Sequence, residues 1–213
     1  CVFGLTSPVL PFLGQTLTAL SPGTHGPLAE PVDTDRVFAA AMLWYLTRST
    51  GIVAGVLAMA SLIWGLRFSG RNTGSRLRPN WWMSMHKWLG GMTLAATVVH
   101  VGLAVADSDS GIGIVQALVP NRAVGQEWAM TWGVLAMYLF AVLVLTSVAR
   151  VRRRIPRRVW HAIHLLSFVA VTAAAAHSLM SGTDTGSSSF VVGFAALIAL
   201  AVSPLTIRLM SRN

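Results

Sequence analysis

Five runs along the chain are long and apolar enough to be membrane helices: residues 41–66, 83–106, 128–149, 159–180 and 189–209. A hydrocarbon core about 30 Å thick needs roughly 20 such residues in helical form. The segments between them are rich in Gly, Pro, Ser, Asp and Arg, as in Arg67-Phe68-Ser69-Gly70-Arg71 and Ser181-Gly182-Thr183-Asp184-Thr185-Gly186, and read as loops. No tandem repeat and no second soluble domain is visible. The expected fold is all-α, a polytopic transmembrane helical bundle of five or six spans. The sixth depends on residues 2–20, which are apolar but contain Pro8 and Pro11. This N-terminal segment, 1–36, is either an extra span or a stretch on the outer face, and the bundle occupies 37–213.

Composition sharpens the class. Of 213 residues, 54% are hydrophobic and 11% charged, against roughly 25% charged in a soluble domain; mean hydropathy is +0.63. A disordered chain, a nucleic-acid-binding domain and most water-soluble enzymes are excluded. The sole cysteine, Cys1, leaves no disulfide framework within the chain and no Cys-based metal cluster. Its place where a start methionine would stand points to processing or truncation, with lipid modification as an option that no visible signal peptide supports.

The net charge of +9 is explained by where the charges fall. Arg67, Arg71, Arg76, Arg78 and Lys87 lie around the first loop, Arg150, Arg152, Arg153, Arg154, Arg157 and Arg158 around the third, and Arg208 and Arg212 at the end of the chain. All are on one side, which the positive-inside rule assigns to the cytoplasm. The acidic residues Glu30, Asp33, Asp35, Asp107, Asp109, Glu127 and Asp184 are all on the other. The charge therefore reads as topology and contact with membrane lipid, not nucleic acid. The expected location is a bacterial plasma membrane with the C-terminus cytoplasmic. Trp64, Trp81, Trp82 and Trp160 fall at the inner interface and Trp44, Trp128 and Trp132 at the outer, as an aromatic belt requires; Trp88 lies deeper.

Ionisable side chains inside lipid are costly and mark functional sites. His86 and His100 lie in the second span, His164 and His177 in the fourth. The two spans run in the same direction, which sets His86 level with His164 and His100 level with His177, the two levels roughly 20 Å apart at 1.5 Å per residue. Two levels of paired imidazoles suit two haems, each ligated from both faces, an arrangement that favours electron transfer over oxygen binding at iron. Small residues one turn away, Gly90, Ala96 and Ala173, would let a flat macrocycle approach; they are equally the residues that pack membrane helices. The spacing of 14 returns His100 to nearly the face of His86, whereas 13 leaves His177 well off the face of His164, which a π-bulge or kink would correct. His161, at the boundary beside Trp160, competes with His164 for the inner position, and His25 reads as solvated.

These segments resemble the ferric reductase-like transmembrane domain family, which also includes the membrane parts of NADPH oxidases and the haem subunit of the bacterial periplasmic methionine sulfoxide reductase system. The carrying residues are Leu43-Trp44-Tyr45-Leu46-Thr47-Arg48-Ser49-Thr50-Gly51, Met85-His86-Lys87-Trp88-Leu89 through Val99-His100, and Trp160-His161-Ala162-Ile163-His164-Leu165-Leu166 through Ala176-His177, followed by Gly182-Thr183-Asp184-Thr185. The likeness covers roughly residues 40–209. It implies two haem b groups, an inner one on His86 and His164 and an outer one on His100 and His177, and it selects His164 over His161. Many members continue into a flavin- and nicotinamide-binding domain. No such domain is visible in this sequence, and the expected donor is a separate cytoplasmic flavoprotein or a membrane quinol.

The expected function is transmembrane electron transfer through two bis-histidine b-type haems, from a cytoplasmic-side donor to an acceptor outside: a metal complex, a periplasmic oxidoreductase or oxygen. The chain would then be an oxidoreductase component. Arg48, several residues into the first span, either neutralises propionates of the outer haem or snorkels to the outer headgroups. Two other classes compete. One is a haem-free transporter using the histidines as a proton relay or metal pathway, disfavoured by the lack of a membrane-embedded Asp or Glu. The other is a structural subunit of a respiratory assembly, in which the histidines would be replaceable without loss of redox function.

Overall fold

In the computed structural model, residues 33–69, 79–182 and 185–210 are described, and every regular element among them is helical. Helix α1 spans Thr34–Ser69. Asp33 starts it, its Oδ1 accepting from the Arg36 backbone N–H at 3.3 Å while its Oδ2 pairs with Arg36 Nε at 3.1 Å. With 36 residues, α1 is about 54 Å long and outreaches the hydrocarbon core. Helix α2, Pro79–Ala106, opens on a proline, whose missing N–H is no loss in the first turn.

A 3₁₀ turn follows, Ser108–Ser110. Buried Asp107 caps it by accepting from Asp109 N–H, and Gly111 leaves it with φ 67°, a left-handed conformation that favours glycine. The short α3, Ile114–Leu118, leads to α4, Glu127–Ser147. Then come the single turn α5, Ala149–Arg152, the long α6, Arg157–Ser181, entered from Pro156, and α7, Ser188–Met210.

All five expected spans coincide with helices. Four of them, α1, α2, α4 and α6, are long and apolar enough to cross a membrane; the apolar stretch of α7 is the shorter Ser188–Leu200. The extra span considered for residues 2–20, and the loop arginines Arg71, Arg76 and Arg78, lie outside the described residues. Pro204 interrupts the α7 backbone ladder because it has no N–H for the carbonyl of Leu200. Ser203 Oγ donates to that carbonyl instead, at 3.0 Å, the kind of local repair that apolar surroundings demand.

The helices associate mainly as two antiparallel pairs, α1 with α2 and α4 with α6, and α7 leans on α1. The residues buried between them are mostly small: Ala54 and Ala58 on α1, Ala129 and Ala136 on α4, Ala170 and Ala173 on α6. Large apolar side chains such as Val98, Trp88 and Val192 face outward. Without a hydrophobic drive between helices in lipid, close backbone approach at small residues is what holds the pairs. Thr93 and Thr97, buried on α2, satisfy their hydroxyls on their own helix, donating to the carbonyls of Leu89 and Thr93 at 2.9 and 2.8 Å. The consequence for function is that α2 and α6, the helices bearing the histidines, each pack on a different partner, and their imidazoles meet in the space between the pairs.

Candidate functional site

The four histidines form two facing couples. The ring centres of His86 and His164 are 5.8 Å apart with planes at 72°, and those of His100 and His177 are 6.3 Å apart at 73°. His161 is exposed and lies beside Trp160, not opposite His86.

Three of the four rings are held in the same way. His100 Nδ1 lies 2.8 Å from the carbonyl of Thr47, His86 Nδ1 3.1 Å from that of Ser61, and His177 Nδ1 2.8 Å from that of Ala129. A carbonyl can only accept, so each Nδ1 carries the proton and donates, leaving Nε2 with a free lone pair. Four residues after each carbonyl stands a glycine: Gly51, Gly65 and Gly133. A Cβ there would stand 2.9 Å from His100 Cε1, 3.1 Å from His86 Cε1 and 2.8 Å from His177 Nδ1. In a helix the carbonyl of one residue points towards the N–H four residues on. A side chain at that later position would screen the carbonyl, and glycine leaves it open to the imidazole.

His164 is the exception. Its Nδ1 is buried without a hydrogen-bond partner, and instead the ring stacks on Trp160 at 4.7 Å and 19°. Fourteen residues beyond Gly133, where α1 repeats its glycine, α4 has Ser147, whose buried Oγ is also unpartnered. The 13-residue spacing explains the difference. Helix α6 is continuous, with no π turn, which corrects the expectation of a π-bulge. With His177 turned onto α4, a step of 13 residues rotates His164 away from that helix, and the bond to a neighbouring carbonyl is lost instead.

Of the small residues singled out in the sequence, Gly90 and Ala173 follow the helix-packing alternative. Gly90 faces Ser61, its Cβ position 3.8 Å from Ser61 Oγ, and Ala173 is fully buried in protein; both serve helix packing. The glycines that matter lie on the partner helices. Gly51 and Gly65 are 14 apart, the interval of His86 and His100, a signal that was open to view; Gly133, standing alone, had none. Arg48 lies next to Thr47, with its guanidinium carbon 4.4 Å above the Trp44 ring centre.

The donor set fits a haem. With about 2 Å from a metal to each imidazole nitrogen and about 1.1 Å on to each ring centre, two axial imidazoles have centres roughly 6.2 Å apart, close to both observed separations. Among the described residues no three His, Cys, Asp or Glu side chains converge as a metal site. Two imidazoles are half the ligand set of a bare four-coordinate ion, and all that a porphyrin-held iron lacks.

Residues 50–175 match the family described as ferric reductase like transmembrane component. The chain belongs to that family. The match takes in His86, His100 and His164 and ends two residues before His177. Membership places this ferric reductase-like chain among integral membrane proteins of transmembrane electron transfer, a family whose domains generally bind haem. No curated protein and no solved structure matches the chain.

Proposed function

We propose that the chain binds two b-type haems, one between His86 and His164 and one between His100 and His177, and passes electrons from the cytoplasmic side to an acceptor outside. The observation that carries this reading is the pair of facing imidazole couples at separations suited to an axially ligated iron. Haem bound there supplies the one-electron redox chemistry. The chain's own residues do the rest. Each histidine would offer Nε2 to the group held between it and its opposite number. His86, His100 and His177 are fixed by a carbonyl bond that also raises their strength as ligands. Held by a histidine on each side, the iron would serve electron transfer rather than oxygen binding.

Each electron gained by the acceptor is one lost by the donor, a cytoplasmic flavoprotein or a membrane quinol. An interior-negative potential favours that direction by roughly 2.3 kcal/mol per charge per 100 mV for full crossing. The basic residues Lys87, Arg150, Arg152, Arg153, Arg154, Arg157 and Arg158 would face the donor, and the acidic loops would face a metal complex, a periplasmic oxidoreductase or oxygen.

Vesicles containing the haem-loaded protein, with dithionite trapped inside and ferricyanide outside, test the reading. Ferricyanide is reduced well above the rate of protein-free vesicles, and His86→Ala and His177→Ala each return it to that background. Background rates with the wild-type protein, or unchanged rates in both variants, would contradict it.

Arg48 belongs to the same proposal, as the residue that neutralises carboxylates of the outer haem. Removing a positive charge disfavours the reduced iron, so Arg48→Ala lowers the midpoint potential and occupancy of the His100/His177 site by a measurable margin and leaves the other site alone. If a redox titration finds both unchanged, Arg48 has no part in the outer haem site.

A further inference from the structure

We propose that Trp160 is the positioning residue for His164, and that its indole does for this ligand what a carbonyl and a glycine do for the other three. The proposal rests on the haem reading above. Four observations support it. His164 is the one histidine of the four whose Nδ1 has no hydrogen-bond partner. Its ring lies nearly parallel to Trp160, 19° off at 4.7 Å, whereas the indole makes a looser 43° contact at 6.5 Å with exposed His161. Arg152 lies over the same indole, its guanidinium carbon 4.5 Å from the ring centre, while Arg152 Nη1 donates to the Ile155 carbonyl at 3.2 Å. The stack Arg152–Trp160–His164 is therefore anchored in the turn that joins α5 to α6. Finally, the facing His86 is held by the Ser61 carbonyl at 3.1 Å beside Gly65, with Ser61 Oγ farther off at 3.5 Å, so within this couple only His164 lacks a backbone acceptor.

The physical difference is directional. A hydrogen bond from Nδ1 fixes both the tilt and the rotation of an imidazole, whereas a stacked ring fixes its plane and leaves Nδ1 without an acceptor. An imidazole without an acceptor at Nδ1 is also the weaker donor to iron. The His86/His164 site thus has one strongly held ligand and one held by stacking, and the His100/His177 site has two held by carbonyls. The same arrangement makes the former the more easily perturbed from the basic face, through Arg152 and Trp160.

The test compares Trp160→Leu and Trp160→Phe with wild type and His164→Ala, using haem per chain and low-temperature EPR of the oxidised protein. The orientation of the imidazole ligands sets the g values of a low-spin ferric haem, and the two couples start from nearly equal angles, 72° and 73°, so the signal of each site is assigned by what His164→Ala removes and what it leaves. Trp160→Leu shifts or abolishes the signal missing in His164→Ala, with haem content falling from about two towards one per chain. The second signal persists and serves as the control for folding. Trp160→Phe, which keeps a flat ring to stack, restores the affected signal. The proposal is overturned if Trp160→Leu shows both signals at wild-type positions, if Trp160→Phe fails as badly as leucine, or if both signals vanish together. A wild-type protein with no haem signal at all would overturn the haem reading itself, a result distinct from these.

Discussion

His177→Ala lowers the haem content from about two to about one per chain and leaves the His86/His164 site intact. The variant removes one whole ligand, and with it the bond to the Ala129 carbonyl. His100, still fixed by Thr47, faces an empty position. The two sites sit on different turns, about 20 Å apart along the helices, so additivity should hold between them. The double variant His86→Ala with His177→Ala holds none. A pyridine haemochrome assay on purified protein reads these values directly. Retention of both haems in His177→Ala would remove this residue from the ligand set.

Gly133→Ala is expected to have nearly the same effect through a single methyl group. The added Cβ would stand 2.8 Å from His177 Nδ1 and 3.0 Å from Cε1, well inside van der Waals contact. The empty protein can yield by turning the imidazole, a flexible side chain, so folding is spared. Alanine even favours the helix by up to about 1 kcal/mol over glycine on scales measured in water. A ring that must both reach the Ala129 carbonyl and present Nε2 to iron cannot turn. The two properties therefore separate: thermal stability of the haem-free protein holds or rises, while haem content drops towards one per chain. Gly55→Ala is the control, because nothing lies within 4 Å of its Cβ position, and it keeps both haems. A Gly133→Ala protein with full haem content would show that the cradle is incidental.

The helices were legible because hydropathy over 20 residues is a strong signal, and four of the five boundaries agree within a few residues. The first did not: α1 begins at Thr34 rather than near residue 41. Asp35 and Arg36 belong in a helix end outside the hydrocarbon, where an apolar window cannot detect them. The pairing of His86 with His164 and of His100 with His177 followed from depth and direction alone. What holds each ring did not, since it depends on the partner helix and on which carbonyl is left open there. The repeated interval of Gly51 and Gly65 contained half of that information. The 13-residue step between His164 and His177 was visible as an anomaly, but its resolution, a ring released from α4 and stacked on Trp160, required the packing of α6.

Two haems, each held between two imidazoles, should be visible in the protein as purified. The wild-type protein, produced in cells supplied with haem precursor and purified in detergent, is examined by a dithionite-reduced minus oxidised spectrum with haemochrome quantitation. The expected value is about two b-type haems per chain. Absence of haem would contradict it and turn the four histidines into candidates for a proton or metal pathway.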